Sequence, residues 1–310
     1  MSSMKRLWLL LVLVAGIATS ARAHPAEVAV LVSADVDAYH DALSGFREIL
    51  RHQIVAVYDM EGDPERAREL VEEIRTKLKP DLILAVGIWA LQAVASEQID
   101  IPVTFTMVLN PATIVHRGAT NITGASMNVP VEESIRLFKR LDPSIRRIGV
   151  VFNPTKTGYL VEQARRIVQK EGLGLVAKEV TSPRLAIKAV NSLQEEGVDA
   201  IWILPDETVL NPKVLEYTLL QSYRHKVPLL GLSKRQAEMG ALLALSFGSS
   251  KDIGRQAGEL ANDILGGSSP AELPFTTARD LMLTVNLKAA KKLGLDIPRS
   301  ILAQADTVIE

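Results

Sequence analysis

The sequence predicts an α/β protein of two similar lobes, each a parallel sheet covered by helices. Its strand-like segments are continuous apolar runs, which is typical of strands buried on both faces. These runs begin at 28, 54 and 82 in the first half and at 148, 175, 200 and 228 in the second. The steps between them match the length of one strand, one helix and their connections. Because right-handed crossovers place helices on both faces of such a sheet, each half is predicted to be a Rossmann-like, doubly wound lobe.

The elements of the first half follow one another with clear start and stop signals. Asp63 followed by Pro64 indicates an N-cap and a first helical residue, and Lys79-Pro80 indicates the end of that helix. A third strand and a short helix from Trp89 follow. The predicted strands are 28–32, 54–57, 81–86 and 102–106, and the predicted helices of the second half are 158–171, 183–196 and 212–224.

The chain is predicted to pass between the lobes three times, because three segments interrupt or follow the regular alternation. These segments are 121–130, 241–247 and 274–285, and Asn121 to Gly124 is predicted to be a turn. The predicted lobe I is therefore 24–125 plus 248–276, and the predicted lobe II is 126–247 plus 277–310. Three connections between two lobes predict a hinged clamshell.

The first 23 residues have the composition of a secretory leader. Lys5 and Arg6 precede an apolar run from Leu7 to Ala18, and an A-x-A ending closes at Ala23. A run of this length is too short to cross the ~30 Å hydrocarbon layer of a membrane. We therefore expect cleavage after Ala23 and a mature protein in a Gram-negative periplasm. No later stretch reaches transmembrane length, so the mature chain is not expected to span a membrane.

Composition and motifs exclude several classes of protein. The chain has no cysteine and a net charge of −1, which argues against disulfide frameworks, thiolate zinc sites and attraction to nucleic acid. The five histidines are scattered without metal-ligand spacing, and no P-loop, GxGxxG or GxSxG motif occurs. Asp206-Glu207 has no second acidic cluster to complete an acid/base pair. We therefore expect no catalytic residue, no metal and no cofactor.

Small or hydrogen-bonding residues follow the predicted strands of both halves. In open parallel sheets, ligands bind beyond the carboxyl ends of the strands, where helix N-termini present free N–H groups. Two such sheets facing each other across a hinge would form one pocket between the lobes. The same residue types also cap helices, so a purely structural role remains an alternative for each. The candidates for ligand binding are Ser33, Gly87, Ile88, Asn110, Asn153, Thr155, Asp206 and Thr208.

Five motifs in the same order make the chain resemble a known family. The motifs are Asn121 to Gly124, Arg147 to Pro154, Pro205 to Val209, Gly240-Ala241 with Gly254 to Gln256, and Asn286 to Pro298 with Ala305-Asp306. With them the chain is similar to the ABC transporter substrate-binding proteins whose best-known members bind tryptophan, tyrosine or phenylalanine, a branch of the type I periplasmic binding fold. The resemblance covers essentially the whole mature chain. It implies two lobes, a solute between them and delivery to an ABC permease and its ATPase.

The chain departs from the family at positions facing the pocket. Ile88 stands where the family has threonine, Asn110 stands where it has aspartate, and Ser249 aligns with an acidic position, which adds Ser249 to the candidates. Two acids are thus replaced, and Asp206 is the main candidate left to meet a cationic group. Trp89, beside Ile88, is a candidate for stacking on a flat solute, with a core role as the alternative.

The sequence therefore predicts a solute-binding protein of an ABC importer that acts as a monomer. The expected solute is small, largely apolar or aromatic and amino-acid-like, with at most one positive group. If Asp206 pairs with that group, Asp206→Asn would cost about 2–5 kcal/mol in binding. The alternatives are a ligand-sensing subunit of a receptor kinase, which would use the same clamshell, and an enzyme, which activity screening would detect.

Overall fold

The computed structural model describes residues 25–97, 99–116 and 118–310, so the predicted leader lies outside the described residues. Two β-sheets with covering helices make up the described part. The strands are β1 (Glu27–Val32), β2 (Gln53–Asp59), β3 (Leu82–Val86), β4 (Val103–Val108), β5 (Ile122–Ser126), β6 (Arg147–Phe152), β7 (Gly174–Glu179), β8 (Ala200–Trp202), β9 (Leu229–Gly231), β10 (Leu243–Phe247), β11 (Leu281–Asn286) and β12 (Thr307–Ile309). The helices are α1 (Asp37–Ile49), α2 (Pro64–Glu73), α3 (Ile88–Ser96), α4 (Val131–Leu141), α5 (Pro154–Lys170), α6 (Pro183–Glu195), α7 (Pro212–His225), α8 (Lys234–Met239), α9 (Ser250–Leu265), α10 (Leu287–Leu293) and α11 (Arg299–Leu302).

The two sheets differ in size and in strand direction. The first has the order β2-β1-β3-β4-β5, and all its neighbouring strands are parallel. The second has the order β12-β11-β10-β9-β8-β6-β7, and β11 runs antiparallel to β10. We call the first sheet with its helices lobe I and the second with its helices lobe II.

Each sheet is buried on both faces, as the continuous apolar runs predict. In lobe I, one face of the sheet packs against α2 and α3, and the other packs against α1 and α9. In lobe II, one face packs against α4, α5 and α10, and the other packs against α6 and α7. Burial of large side chains on both faces is the main source of stability of such a lobe.

Helix α9 returns from lobe II to complete the core of lobe I. It lies so close to α1 that a Cβ atom on Gly254 would sit 1.8 Å from the Ala42 carbonyl oxygen. A Cβ on Gly45 would sit 2.0 Å from the Lys251 carbonyl oxygen. The two glycines therefore permit direct backbone contact between the helices, and a larger residue at either position would force them apart.

Three chain segments connect the lobes and lie side by side. The first follows β5, the second joins β10 to α9, and the third leads into β11. The Ala278 amide donates to the Asn128 carbonyl oxygen at 3.0 Å, and the Gly248 amide donates to the Asp280 carbonyl oxygen at 2.9 Å. These bonds join the third segment to both of the others. The action of these segments as a hinge and the predicted residue boundaries of the two lobes stay predictions.

The structure departs from the sequence prediction in three places. Asn121 to Gly124 is not a turn, because residues 122–126 form β5 beside β4. Helix α5 begins at Pro154 rather than at 158, since the Asn153 side chain accepts from the Thr155 amide and caps it. Residues 241–247 hold a central strand of lobe II, and the antiparallel β11 follows the third segment.

Candidate functional site

The carboxyl ends of the strands in the two lobes meet at one cleft. Lobe I contributes the ends of β1, β3 and β4, and lobe II contributes the ends of β6, β8 and β9. Asn110, which follows β4, makes a direct contact across this cleft with Pro205, which follows β8: Asn110 Nδ2 donates to the Pro205 carbonyl oxygen. The predicted placement of a site at the strand ends therefore agrees with the topology.

The residues that follow β1, β3 and β4 form the lobe I side of the cleft, which we call the lobe I wall. Two of the predicted residues, Ser33 and Gly87, stabilise it. Ser33 Oγ donates to the Val86 carbonyl oxygen at 2.8 Å and accepts from the Ala90 amide at 2.9 Å. Gly87 has φ +88°, and a Cβ there would lie 2.6 Å from Tyr39 Oη. The hydroxyl of Ser33 thus bonds two backbone groups of its own lobe, and the positive φ at residue 87 requires a glycine.

The next residues of the lobe I wall expose apolar side chains. Ile88 and Trp89 form the first turn of α3 and are each 38% exposed, and Leu109 before Asn110 is 39% exposed. Val36, which follows β1, is also exposed. An aromatic ring and three aliphatic side chains therefore lie beyond three neighbouring strand ends. Such a surface suits an apolar solute better than a charged one.

The residues that follow β6, β8 and β9 form the lobe II side of the cleft, the lobe II wall. Four predicted residues of this wall form one hydrogen-bonded cluster around a buried carboxylate. Asp206 Oδ2 accepts from the Asn153 amide at 2.7 Å and from Thr157 Oγ1 at 2.6 Å, and Oδ1 accepts from the Thr208 amide at 2.9 Å. Asn153 Nδ2 donates to Thr208 Oγ1 at 3.1 Å. Thr155 joins the cluster by donating to Asn153 Oδ1. The cluster ties the start of α5 to the loop after β8.

The geometry changes the interpretation of Asp206. Its side chain is fully buried, and both carboxylate oxygens accept hydrogen bonds from the protein. Three donors already compensate the buried charge, so a cation from a solute would find no exposed oxygen. The neighbouring Glu207 is exposed and pairs with Lys156 at 3.3 Å, a surface ion pair that contributes little to stability. Asp206 therefore stabilises the lobe II wall from a buried position, by accepting hydrogen bonds from the start of α5 and from the loop after β8.

The two remaining predicted residues, Asn110 and Ser249, lie elsewhere. Asn110 is buried between the lobes, where its Oδ1 accepts from Tyr159 Oη at 2.9 Å. Ser249 caps α9 by accepting from the Asp252 amide at 3.1 Å. The structure therefore brings Asn153, Thr155, Asp206 and Thr208 together and places Ser33 with Gly87 on the opposite lobe. Ser249 belongs to the second connecting segment.

An apolar cavity of about 120 Å³ lies where the lobes and the connecting segments meet. Leu109 contributes from lobe I, and Trp202, Leu232 and Phe247 at the end of β10 contribute from lobe II. Met127, Asn128 and Val129 of the first connecting segment close it. The cavity thus depends on both lobes and on the segments between them, which is the position of a solute in a two-lobed binding protein.

The residues that line this cavity were not among the sequence candidates. Leu109 and Pro205 are the immediate neighbours of the predicted Asn110 and Asp206, and their apolar character is equally typical of core residues. Tyr159 and Thr157 were also missed. Their signal is the Asn153-Pro154 helix start, which places both in the first two turns of α5 and therefore at the cleft.

Among the described residues, no group of three or more His, Asp or Glu side chains has the arrangement of a metal site. Across those same ranges, no helix combines the length and apolar character needed to cross a bilayer. Burial raises the pKa of Tyr159 to about 12, so its hydroxyl stays protonated and can donate to Asn110 at neutral pH.

Comparison with protein families gives one match over nearly all of the described chain. The family described as ABC transporter substrate binding protein matches residues 27–309. A tyrosine-binding protein from Clostridioides difficile is 24% identical over 224 residues, which cover 70% of this chain and 64% of that protein. The chain therefore spans less than two thirds of the length of this relative.

Solved structures show the same architecture. A conserved domain protein from Vibrio cholerae is 27% identical with a TM-score of 0.61, covering 92% of this chain and 99% of that one. The ABC domain in complex with L-Trp from Streptococcus pneumonia is 23% identical with a TM-score of 0.60, covering 92% of this chain and 100% of the other. The predicted α/β class and the type I periplasmic binding fold are thereby confirmed.

Proposed function

The chain belongs to the family of ABC transporter substrate binding proteins, and from this premise we propose that it captures a small, largely apolar or aromatic, amino-acid-like solute between its lobes. We propose that its partners are a small-molecule ligand and a membrane ABC transporter, as the family suggests. We propose further that it works as a monomer in the periplasm and delivers the solute to an importer. The sequence of the predicted leader supports the periplasmic location, and the topology of the lobes supports binding of a solute between them.

The observation that carries the proposal is the apolar cavity between the lobes. Its volume of about 120 Å³ is close to that of an engineered cavity of roughly 150 Å³ that holds benzene in another protein. A branched aliphatic side chain or a single aromatic ring is therefore the size of group that it accepts. Leu109 lines the cavity and is 39% exposed, so the apolar surface continues out of the cavity at the end of β4, whereas Trp89 lies in a groove with Pro64 and Arg68 of α2.

The polar end of the solute is expected to meet hydrogen-bond donors rather than a free buried carboxylate. Helices α3 and α5 begin at the cleft after Gly87 and Asn153, and helix N-termini attract carboxylates. Asp206 is already compensated within lobe II. The tyrosine-binding relative from Clostridioides difficile supports an amino-acid-like solute.

Calorimetry with a panel of solutes tests the proposal. The mature protein is unfolded, dialysed and refolded to remove any bound molecule, and it is then titrated with L-tyrosine, L-phenylalanine, L-tryptophan, L-leucine, L-arginine and spermidine. We expect saturable binding of at least one of the first four and none of the last two. Tight binding of arginine or spermidine, with no binding of the apolar solutes, would overturn the proposed solute class.

A matched pair of leucine variants locates the site. Leu109→Ser removes an apolar lining group and is expected to weaken binding about tenfold, the effect of losing about 1.4 kcal/mol of apolar contact. Leu220→Ser changes a leucine on α7 that is 60% exposed and does not line the cavity, so affinity should stay unchanged. Equal affinities in the two variants would place the solute elsewhere.

A further inference from the structure

The apolar cavity between the lobes contains polar groups that the protein itself does not use. Asn128, Ser134 and Ser246 all line it. Asn128 is engaged within the protein, because its Oδ1 accepts from the Asn110 backbone amide at 2.9 Å and its Nδ2 donates to Tyr159 Oη at 2.8 Å. Across residues 25–97, 99–116 and 118–310, neither serine hydroxyl forms a hydrogen bond with another protein atom. Both hydroxyls are therefore available to a solute.

Ser134 interrupts the buried apolar face of helix α4. The other buried residues of this helix are all apolar: Val131, Ile135, Leu137, Phe138 and Leu141. Ser134 is itself only 4% exposed. Burying a hydroxyl without a partner is unfavourable, and an alanine would fill the position while favouring the helix more. The packing of lobe II alone therefore gives no reason for a hydroxyl here.

The usual partner of a helical serine is already occupied at this position. A serine hydroxyl inside a helix can donate to the carbonyl oxygen four residues earlier, which here belongs to Pro130. That oxygen accepts from the Glu133 amide at 3.1 Å and from the Ser134 amide at 3.4 Å. Because Ser134 lines the cavity, a group inside the cavity is the partner left for its hydroxyl.

The Trp202 indole adds another unused polar group to the same cavity. Trp202 is 4% exposed and lines the cavity, and its Nε1–H group has no acceptor in the part of the chain that the structure describes. A serine hydroxyl both donates and accepts, whereas an indole N–H only donates. A hydroxyl group on the solute matches both, because it donates one bond and accepts another. An N–H group on the solute would match only the serine.

We propose that Ser134 is a specificity-determining residue, whose hydroxyl bonds a hydroxyl group on the ring of the solute, and that the preferred solute is a phenolic, tyrosine-like amino acid. The Trp202 N–H group donates to the same solute oxygen. This inference rests on the proposed function, since it places the solute in the cavity. A volume of about 120 Å³ suits the single ring of a phenol better than a fused indole ring.

Calorimetry with three matched solutes tests the role of Ser134. L-tyrosine, L-phenylalanine and L-4-methylphenylalanine differ at one ring position, which carries a hydroxyl, a hydrogen or a methyl group. The methyl compound has nearly the size of tyrosine without its hydrogen bonds. It therefore separates the effect of filling the cavity from the effect of hydrogen bonding. The refolded, solute-free mature protein is compared with its Ser134→Ala variant, and L-leucine is titrated alongside.

We expect the original protein to bind L-tyrosine at least about tenfold more tightly than the other two ring solutes, because these leave the Ser134 hydroxyl unpaired. In Ser134→Ala, the affinity for L-tyrosine should fall about fivefold, the effect of losing one net hydrogen bond. The affinity for L-4-methylphenylalanine should stay the same or rise. The urea midpoint of unfolding should not fall, since the hydroxyl has no bond to the protein to lose and alanine favours the helix.

Ser222→Ala is the matched control for Ser134→Ala. Ser222 is a helical serine of lobe II that is 1% exposed and does not line the cavity. Its hydroxyl donates to the Val227 carbonyl oxygen. This variant should therefore lower the urea midpoint and leave the ratio of the L-tyrosine and L-phenylalanine affinities unchanged, which is the opposite pattern.

The outcomes separate this inference from the proposed function. An unchanged affinity ratio in Ser134→Ala, or an equal loss for all three ring solutes, would overturn the role of Ser134 and leave the proposed function in place. Binding of L-leucine but of no ring solute would do the same. Absence of binding by all four solutes would overturn the proposed function, and this inference with it.

Discussion

The two walls of the cleft differ in the polarity and in the exposure of their side chains. On the lobe I wall, Ile88, Trp89 and Leu109 are each more than a third exposed. The lobe II wall is a closed polar cluster in which Asp206 is fully buried and accepts three hydrogen bonds. One wall is therefore an open apolar surface, and the other is a fixed scaffold.

This difference indicates that the polar strand-end residues and the residues that line the cavity are separate sets. Hydrogen-bonding side chains at the strand ends are used to connect one element to the next, as Ser33 does in lobe I and Asp206 does in lobe II. Their apolar neighbours, such as Leu109 and Leu232, line the cavity. Substitutions in the two sets should accordingly affect different measurements: stability for the polar strand-end residues and solute affinity for the apolar residues that line the cavity.

The largest effect is expected for Asp206→Asn. An amide of the same shape offers one acceptor oxygen to three donors, and its NH₂ group would face at least one of them. We expect a loss of about 3 kcal/mol in the free energy of unfolding, the scale of a broken hydrogen bond to a buried charge together with an unsatisfied donor. Urea unfolding followed by circular dichroism measures it.

Glu207→Gln is the matched control for Asp206→Asn. The Glu207 side chain is 81% exposed, so the change should alter stability by less than about 0.5 kcal/mol. If Asp206→Asn instead left stability unchanged and abolished binding, Asp206 would contact the solute as the sequence alone predicts, and the contrast between the walls would fail.

A second, smaller effect is expected from Tyr159, which lies where the walls meet. Burial raises its pKa from 10.0 in the unfolded chain to about 12 in the folded protein. The stability contributed by the protonated hydroxyl is fully present below pH 10 and is lost as the pH rises through 12. Between these values the free energy of unfolding should fall by about 2 kcal/mol relative to Tyr159→Phe. Parallel curves for the two proteins over this pH range would contradict the assignment.

The smallest effect on stability is expected for Trp89→Ala on the open wall. Trp89 is 38% exposed and lies outside the buried core of lobe I, so the loss should stay below about 1 kcal/mol. An unfolding loss comparable to that of Asp206→Asn would show that the indole is a core group. In that case, the interpretation of the lobe I wall as a free surface would be wrong.

The fold was predictable because the strands carry local signals. Runs such as Leu82 to Val86 are buried along their whole length, and Asp63, Ser182 and Asn211 cap the helices that follow them. The antiparallel β11 was not predicted, because strand direction depends on which neighbour a segment reaches. Asp306 fixes that strand by accepting from the Leu283 amide at 2.7 Å, a contact between residues far apart in sequence.

The site was predictable only as a location. Parallel topology places the ends of β4, β6 and β8 at one cleft, so the position of Asn110, Asn153 and Asp206 at that cleft could be predicted, while their contact with a solute stays a prediction. Their roles depend on partners that no local pattern reveals: Thr157 and the Thr208 amide for Asp206, and Tyr159 and Pro205 for Asn110. Apolar lining residues such as Leu232 carry no sequence signal that separates them from the core.

Fluorescence of Trp202 tests the central claim most directly, because this residue lines the cavity between the lobes. Of the three tryptophans, Trp8 lies in the predicted leader, so Trp89→Phe leaves Trp202 as the sole tryptophan of the mature protein. We expect saturable changes in its emission on titration with L-phenylalanine or L-leucine, and none with L-arginine. Calorimetric binding of either apolar solute without any change in Trp202 emission would contradict binding in this cavity.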